Sequence, residues 1–74
     1  MSSRLPAVSS KELVKLLELK GFVKVRQSGS HAIYRNTSGK RTTIPLHSGK
    51  IIGKGLLKQI IKDTDINPEE LRKK

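Results

Sequence analysis

Apolar side chains recur along this chain with two periods, and each change of period marks an element. From Val8 to Leu17 the spacing is helical, with Leu13, Leu16 and Leu17 on one face and Val14 beside them. Ser9 and Glu12 open this stretch as a capping box, and Val8 and Leu13 are placed for a hydrophobic staple. The helix is predicted to run to about Lys20, with Gly21 ending it. Pro6 leaves residues 1–8 as an irregular lead-in. From Phe22 to Gln27 the period drops to two, which predicts a strand with Val23 and Val25 inward and Lys24 and Arg26 outward. Ser28-Gly29-Ser30 turns the chain into a second strand, His31 to Arg35. After a loop of hairpin composition, Asn36 to Lys40, the third strand covers Arg41 to Pro45 and ends at its proline.

Leu46 to Gly53 form a glycine-bearing connection, and helical spacing returns near Lys54 with Leu56, Leu57, Ile60 and Ile61 as the apolar stripe. Asn67 and Pro68 then cap and start a last helical turn. The order is α-β-β-β-α plus a short terminal helix, an α+β fold. Both apolar helix faces need one face of the three-stranded antiparallel sheet, which leaves the other face open. That layout is the one seen in double-stranded-RNA-binding domains. The second strand carries apolar side chains on both faces, so its phase stays open. With Ile33 inward, Tyr34 lies on the open face beside Lys24 and Arg26, where it can stack on a base. With Tyr34 inward, His31 and Ile33 lie there instead.

The charge pattern adds a partner to this fold. The chain has a formal net charge of +10, and no acidic residue stands between Glu18 and Asp63. That stretch holds Lys20, Lys24, Arg26, Arg35, Lys40, Arg41, Lys50, Lys54, Lys58 and Lys62, while basic and acidic residues cancel outside it. Charge of one sign crowded into a small fold repels itself, so a polyanionic partner is expected, and nucleic acid and an acidic protein both qualify. Without cysteine there is no disulfide and no thiolate ligand, and the histidines and carboxylates are too scattered to suggest a metal site. No cofactor is expected. The apolar runs are far short of a membrane span, and the N-terminus lacks the apolar stretch of a signal peptide, so a cytoplasmic protein is expected.

Several of these residues also carry a family resemblance. Gly21-Phe22, Ser28-Gly29-Ser30-His31-x-Ile33-Tyr34, Ile44-Pro45-x-His47-Ser48-Gly49-Lys50 and Lys54-Gly55-x-Leu57 together resemble the HicA toxins of HicA–HicB toxin–antitoxin pairs. The resemblance covers nearly the whole chain, which reads as a single HicA-like domain, 1–74. It implies a small ribonuclease of double-stranded-RNA-binding-like fold that cleaves mRNA and is neutralised by a cognate HicB antitoxin. It also implies that the family's catalytic histidine maps onto His31.

The residues bear on that chemistry directly. Metal-independent RNA cleavage needs a base for the 2′-OH proton, cations for the crowded phosphorane and an acid for the departing 5′-oxygen. Histidine trades protons near neutrality, with an unperturbed pKa of ~6.5. His31 is either that acid–base group or a turn residue bonded to backbone. His47 is the candidate second proton-transfer group; otherwise it caps the second helix or sits in solvent. The candidate RNA-binding residues are Lys24, Arg26, Ser30, Arg35, Lys50, Lys54 and Lys58. For the lysine row Lys54, Lys58, Lys62 the alternative is an ordinary solvated helix face, and for Ser28 and Ser30 service to the turn itself. A domain that binds duplex RNA and cuts nothing is the rival reading of the whole.

Overall fold

The computed structural model describes residues 6–46 and 50–72. The elements follow in the predicted order: α1 Ser10–Leu19, β1 Val23–Ser28, β2 His31–Arg35, β3 Arg41–Pro45, α2 Lys54–Thr64 and α3 Glu69–Arg72. The strands form one antiparallel sheet in the order β1-β2-β3. The capping box is complete: the Ser9 hydroxyl accepts the Glu12 N–H at 3.2 Å, and Glu12 Oε1 accepts the Ser9 N–H at 3.0 Å. At the other end of α1, Gly21 adopts φ +91°, which glycine enters without a Cβ penalty. Its N–H donates to the Glu18 carbonyl at 3.1 Å, and the Phe22 N–H donates to the Leu17 carbonyl at 2.9 Å. This is a Schellman ending, whose apolar contact here sets Phe22 against Leu17, both buried.

Buried Phe22 sets the phase of β1, and it is not the predicted phase. Val23 is 60% exposed and Val25 53%, so neither faces the core. The register pairs Val23 with Arg35, Lys24 with Tyr34, Arg26 with Ile33, Gln27 with Ala32 and Ser28 with His31, and leaves Val25 as the extra residue of a bulge. Two local demands collide here. The tight turn at Gly29 fixes Ser28 opposite His31, whereas the helix ending fixes Phe22 inward. Strict alternation between them is out by one residue, and the bulge absorbs the difference. Arg26 keeps its outward place, but Lys24 moves to the helix side, where its Nζ donates to Gln27 Oε1 at 2.7 Å.

On β2 the phase with Tyr34 inward is the one adopted. Ala32 and Tyr34 are buried, and Tyr34 is 4% exposed, so it stacks on nothing outside. β3 continues the pairing, with Ile44 opposite Ala32 and Thr42 opposite Tyr34. The core joins these residues to Leu13 and Leu17 of α1 and to Leu57 and Ile60 of α2. Both helices pack against β3, on this one face of the sheet. Leu56, expected in the stripe of α2, is 40% exposed. Buried Thr64 takes the stripe's last place instead, its hydroxyl donating to the Ile60 carbonyl at 2.7 Å.

α2 runs antiparallel to β3. At one end the Thr42 hydroxyl donates to Asp63 Oδ2 at 3.0 Å. At the other, the Ser10 hydroxyl donates to the Pro45 carbonyl, and the Ile52 N–H donates to the Val8 carbonyl at 2.8 Å. The start of α1 and the approach to α2 therefore meet at the end of the sheet where β2 begins. α3 is capped by Asn67, whose Oδ1 accepts the Glu69 N–H at 2.9 Å, and Lys20 pairs with Glu70 to hold it beside α1. The architecture is the α-β-β-β-α arrangement expected, with an open three-stranded sheet.

Candidate nucleic-acid interface

His31 owes its position to a two-residue turn. Gly29 takes φ +59° and is followed by Ser30 before the Ser28–His31 pair closes the hairpin. A glycine at the first loop position with positive φ matches the twist of the flanking strands. The turn is also pinned from β3, because the Ser30 carbonyl accepts the Leu46 N–H. His31 thus begins β2 on a held backbone, with Ser28 on one side and Pro45 on the other. The imidazole is exposed and makes no hydrogen bond among the described residues. Among the described residues it bonds no backbone group.

The open sheet face is built in rows by the register. Ser28, His31 and Pro45 make the first row, Arg26, Ile33 and Thr43 the second, and Val23, Arg35 and Arg41 the third. Val25 stands beside Arg26 in the bulge. Among the described residues the lysine and arginine side chains of this face are all arginines, Arg26, Arg35 and Arg41. Arg35 and Arg41 lie directly opposite each other, a cross-strand pairing of like charges that is unfavourable when nothing lies between them. The chain's six acids, Glu12, Glu18, Asp63, Asp65, Glu69 and Glu70, all belong to the helices and their caps on the opposite side of the sheet. The sheet therefore separates a positive face from the acidic residues.

The structure brings together only part of the predicted set. Arg26 and Arg35 share the face of His31, and Ser30 sits half-buried in the adjoining turn. Lys50 and Lys54 are exposed at the same end of the molecule but in the helix layer. α2 begins at Gly53 without a side-chain cap and with no acid in its first turn, so Lys54 stands at an electropositive end. Lys24 lies on the helix side of β1, and Lys58 and Lys62 lie further along α2, away from His31. His47 lies outside the described residues.

Sequence reasoning passed over Arg41, although a signal was present. A five-residue hairpin loop flanked by Arg35 and Arg41 pairs those two residues, as the register shows. The loop is tied by Asn36, whose Oδ1 accepts the Ser38 and Lys40 N–H groups at 3.1 and 2.9 Å. On the far side of the sheet, burial and then the Glu18 carboxylate push the Tyr34 phenol above its ordinary pKa, which keeps it neutral in the core. Among the described residues no group of three or more His, Cys, Asp or Glu could hold a metal ion, and no helix is long and apolar enough to cross a membrane.

No curated protein gives a significant match to the chain. A family model, that of the HicA toxin of bacterial toxin–antitoxin systems, matches residues 10–66, which run from the start of α1 past the end of α2. The match takes in all three strands and His31, and it extends over well more than half of the chain. The chain belongs to the HicA toxin family and is the toxin of a toxin–antitoxin system.

Proposed function

We propose that this toxin is a metal-independent endoribonuclease that cuts mRNA, with His31 as its acid–base residue. The observation that carries the reading is the exposed imidazole of His31, unbonded among the described residues, at the head of an acid-free arginine face. His31 takes the proton of a ribose 2′-OH, and the 2′-oxygen bonds to the adjacent phosphorus. The bond from phosphorus to the 5′-oxygen then breaks, and that oxygen takes a proton from water or from His47. The products are a 2′,3′-cyclic phosphate and a 5′-hydroxyl. Arg26, Arg35 and Arg41 neutralise the RNA backbone, and Ser30, Lys50 and Lys54 extend the contact at the His31 end. No cofactor takes part, and the mRNA target places the reaction in the cytoplasm.

The partner follows from the same face. A HicB-type antitoxin that is acidic and lies over the arginines would block the site by charge complementarity alone. The test of the enzyme reading is cleavage of an end-labelled mRNA in EDTA by wild type and His31→Ala. Wild type should cut, and His31→Ala should lose about 10²–10⁴-fold in rate, the range of one general acid–base group. RNA that is bound but left intact by both proteins would establish the rival binding module instead.

A further inference from the structure

We propose that the open sheet face holds two phosphate subsites of one RNA strand: Arg26 serves the reacting phosphate at His31, and the Arg35–Arg41 pair clamps a second phosphate of the same strand. The inference rests on the ribonuclease reading and divides the labour of its arginines.

The register supplies the distances. Arg26 sits opposite Ile33, one row from His31, so the two are diagonal neighbours at about 7–8 Å between backbones, within reach of a long side chain. Arg35 is four residues beyond His31 on β2, about 13 Å along the strand, and Arg41 is beside it. A phosphate held at His31 therefore lies nearer to Arg26 than to either guanidinium of that third row. Conversely, Arg35 and Arg41 face each other with no carboxylate on their face, and neither guanidinium makes a hydrogen bond among the described residues. Two like charges set side by side need an anion between them, and paired guanidinium forks fit a phosphodiester. Between the two cationic positions stand Ile33 and Val25, which is 53% exposed, with exposed Thr43 beyond Ile33 on β3. That strip offers no charge to a phosphate and suits the sugars and base faces that join one phosphate to the next.

The two positions then differ in what they do to the reaction. As the 2′-oxygen bonds to phosphorus and before the 5′-oxygen leaves, negative charge grows on the non-bridging oxygens at His31. A guanidinium there binds the transition state more strongly than the substrate. The charge on the clamped phosphate never changes, so Arg35 and Arg41 bind substrate and transition state alike.

The test measures cleavage in EDTA of an oligoribonucleotide and of a dinucleoside monophosphate, which has a single phosphate. Oligoribonucleotide affinity is measured alongside, and circular dichroism confirms folding of each variant. Arg26→Ala should lower kcat about 10²–10³-fold on both substrates, with partial recovery in Arg26→Lys. Arg35→Ala and Arg41→Ala should each raise KM for the oligoribonucleotide roughly tenfold or more, and the preference for it over the dinucleotide should collapse by the same factor. An Arg26→Ala enzyme with wild-type kcat, or a preference that survives Arg35→Ala and Arg41→Ala, would overturn the division. If wild type cuts neither substrate, the ribonuclease reading falls by itself. The affinity then decides the clamp, which is wrong if Arg35→Ala and Arg41→Ala bind the oligoribonucleotide as wild type does.

Discussion

The separation of the two basic surfaces predicts how RNA binding responds to salt. Each phosphate neutralised on a single strand contributes about −0.7 to the slope of log K against log salt. Arg26 meets one phosphate and the Arg35–Arg41 pair a second, so contact with that face alone gives a slope of about −1.4. Adding one phosphate each at Lys50 and Lys54 at the His31 end brings it to about −2.8. Lys58 and Lys62 lie on α2, which packs against the opposite face of the sheet, and a strand laid over the arginines does not meet them. Were Lys58 and Lys62 engaged as well, as the charge pattern alone allows, the slope would be about −4. The assay is fluorescence anisotropy of a labelled oligoribonucleotide with the His31→Ala protein, titrated across salt so that cleavage does not interfere. Joint replacement of Arg35 and Arg41 by alanine should flatten the slope by about 0.7, and replacement of Lys58 and Lys62 should leave it where it was. A slope near about −4 that flattens only when Lys58 and Lys62 are removed would refute the assignment of RNA to the sheet face.

Three further predictions concern the fold. Gly21→Ala should destabilise by about 1–2 kcal/mol, since Gly21 sits at φ +91° and a Cβ there meets no atom, so that backbone strain is the whole cost. Gly55→Ala, at the second residue of α2 and equally free of contacts, should stabilise, by no more than the about 0.5–1 kcal/mol of a helix interior. Urea unfolding followed by circular dichroism checks both signs, and equal effects would discount the Schellman ending. Because burial raises the Tyr34 pKa, its folded and unfolded states hold the same proton at neutral pH. Stability should then fall as pH climbs past about 10, where the unfolded phenol ionises first. Tyr34→Phe should remove that part of the alkaline loss when unfolding is compared at about pH 9 and about pH 11.

The elements that proved legible are those whose cause is local. Ser9 and Glu12 cap α1 within one turn, Gly21 ends it, and Gly29 closes the hairpin that puts His31 at the head of β2. The phase of β1 was not legible, because it depends on two such signals acting from opposite ends. Valine alternation within Phe22–Gln27 favours one phase, and the apolar contact of Phe22 with Leu17 imposes the other. Burying the larger aromatic side chain against a helix already in place outweighs burying Val23 at the uncovered edge. Leu56 shows the same limit on α2, where four apolar residues compete for a stripe that the sheet can cover only in part.

The sequence by itself determined the order of elements, their ends, the turn that presents His31 and the excess of positive charge, since each arises from residues a few positions apart. Only the tertiary structure decided that Tyr34 turns inward, that Lys24 parts from Arg26, that Arg41 joins Arg35, and that the lysines of α2 lie away from the arginines of the sheet. Facing is a property of strands paired across a sheet and of the layer packed on it. A chain with apolar residues at both phases of β2 leaves that choice to whichever face the helices cover.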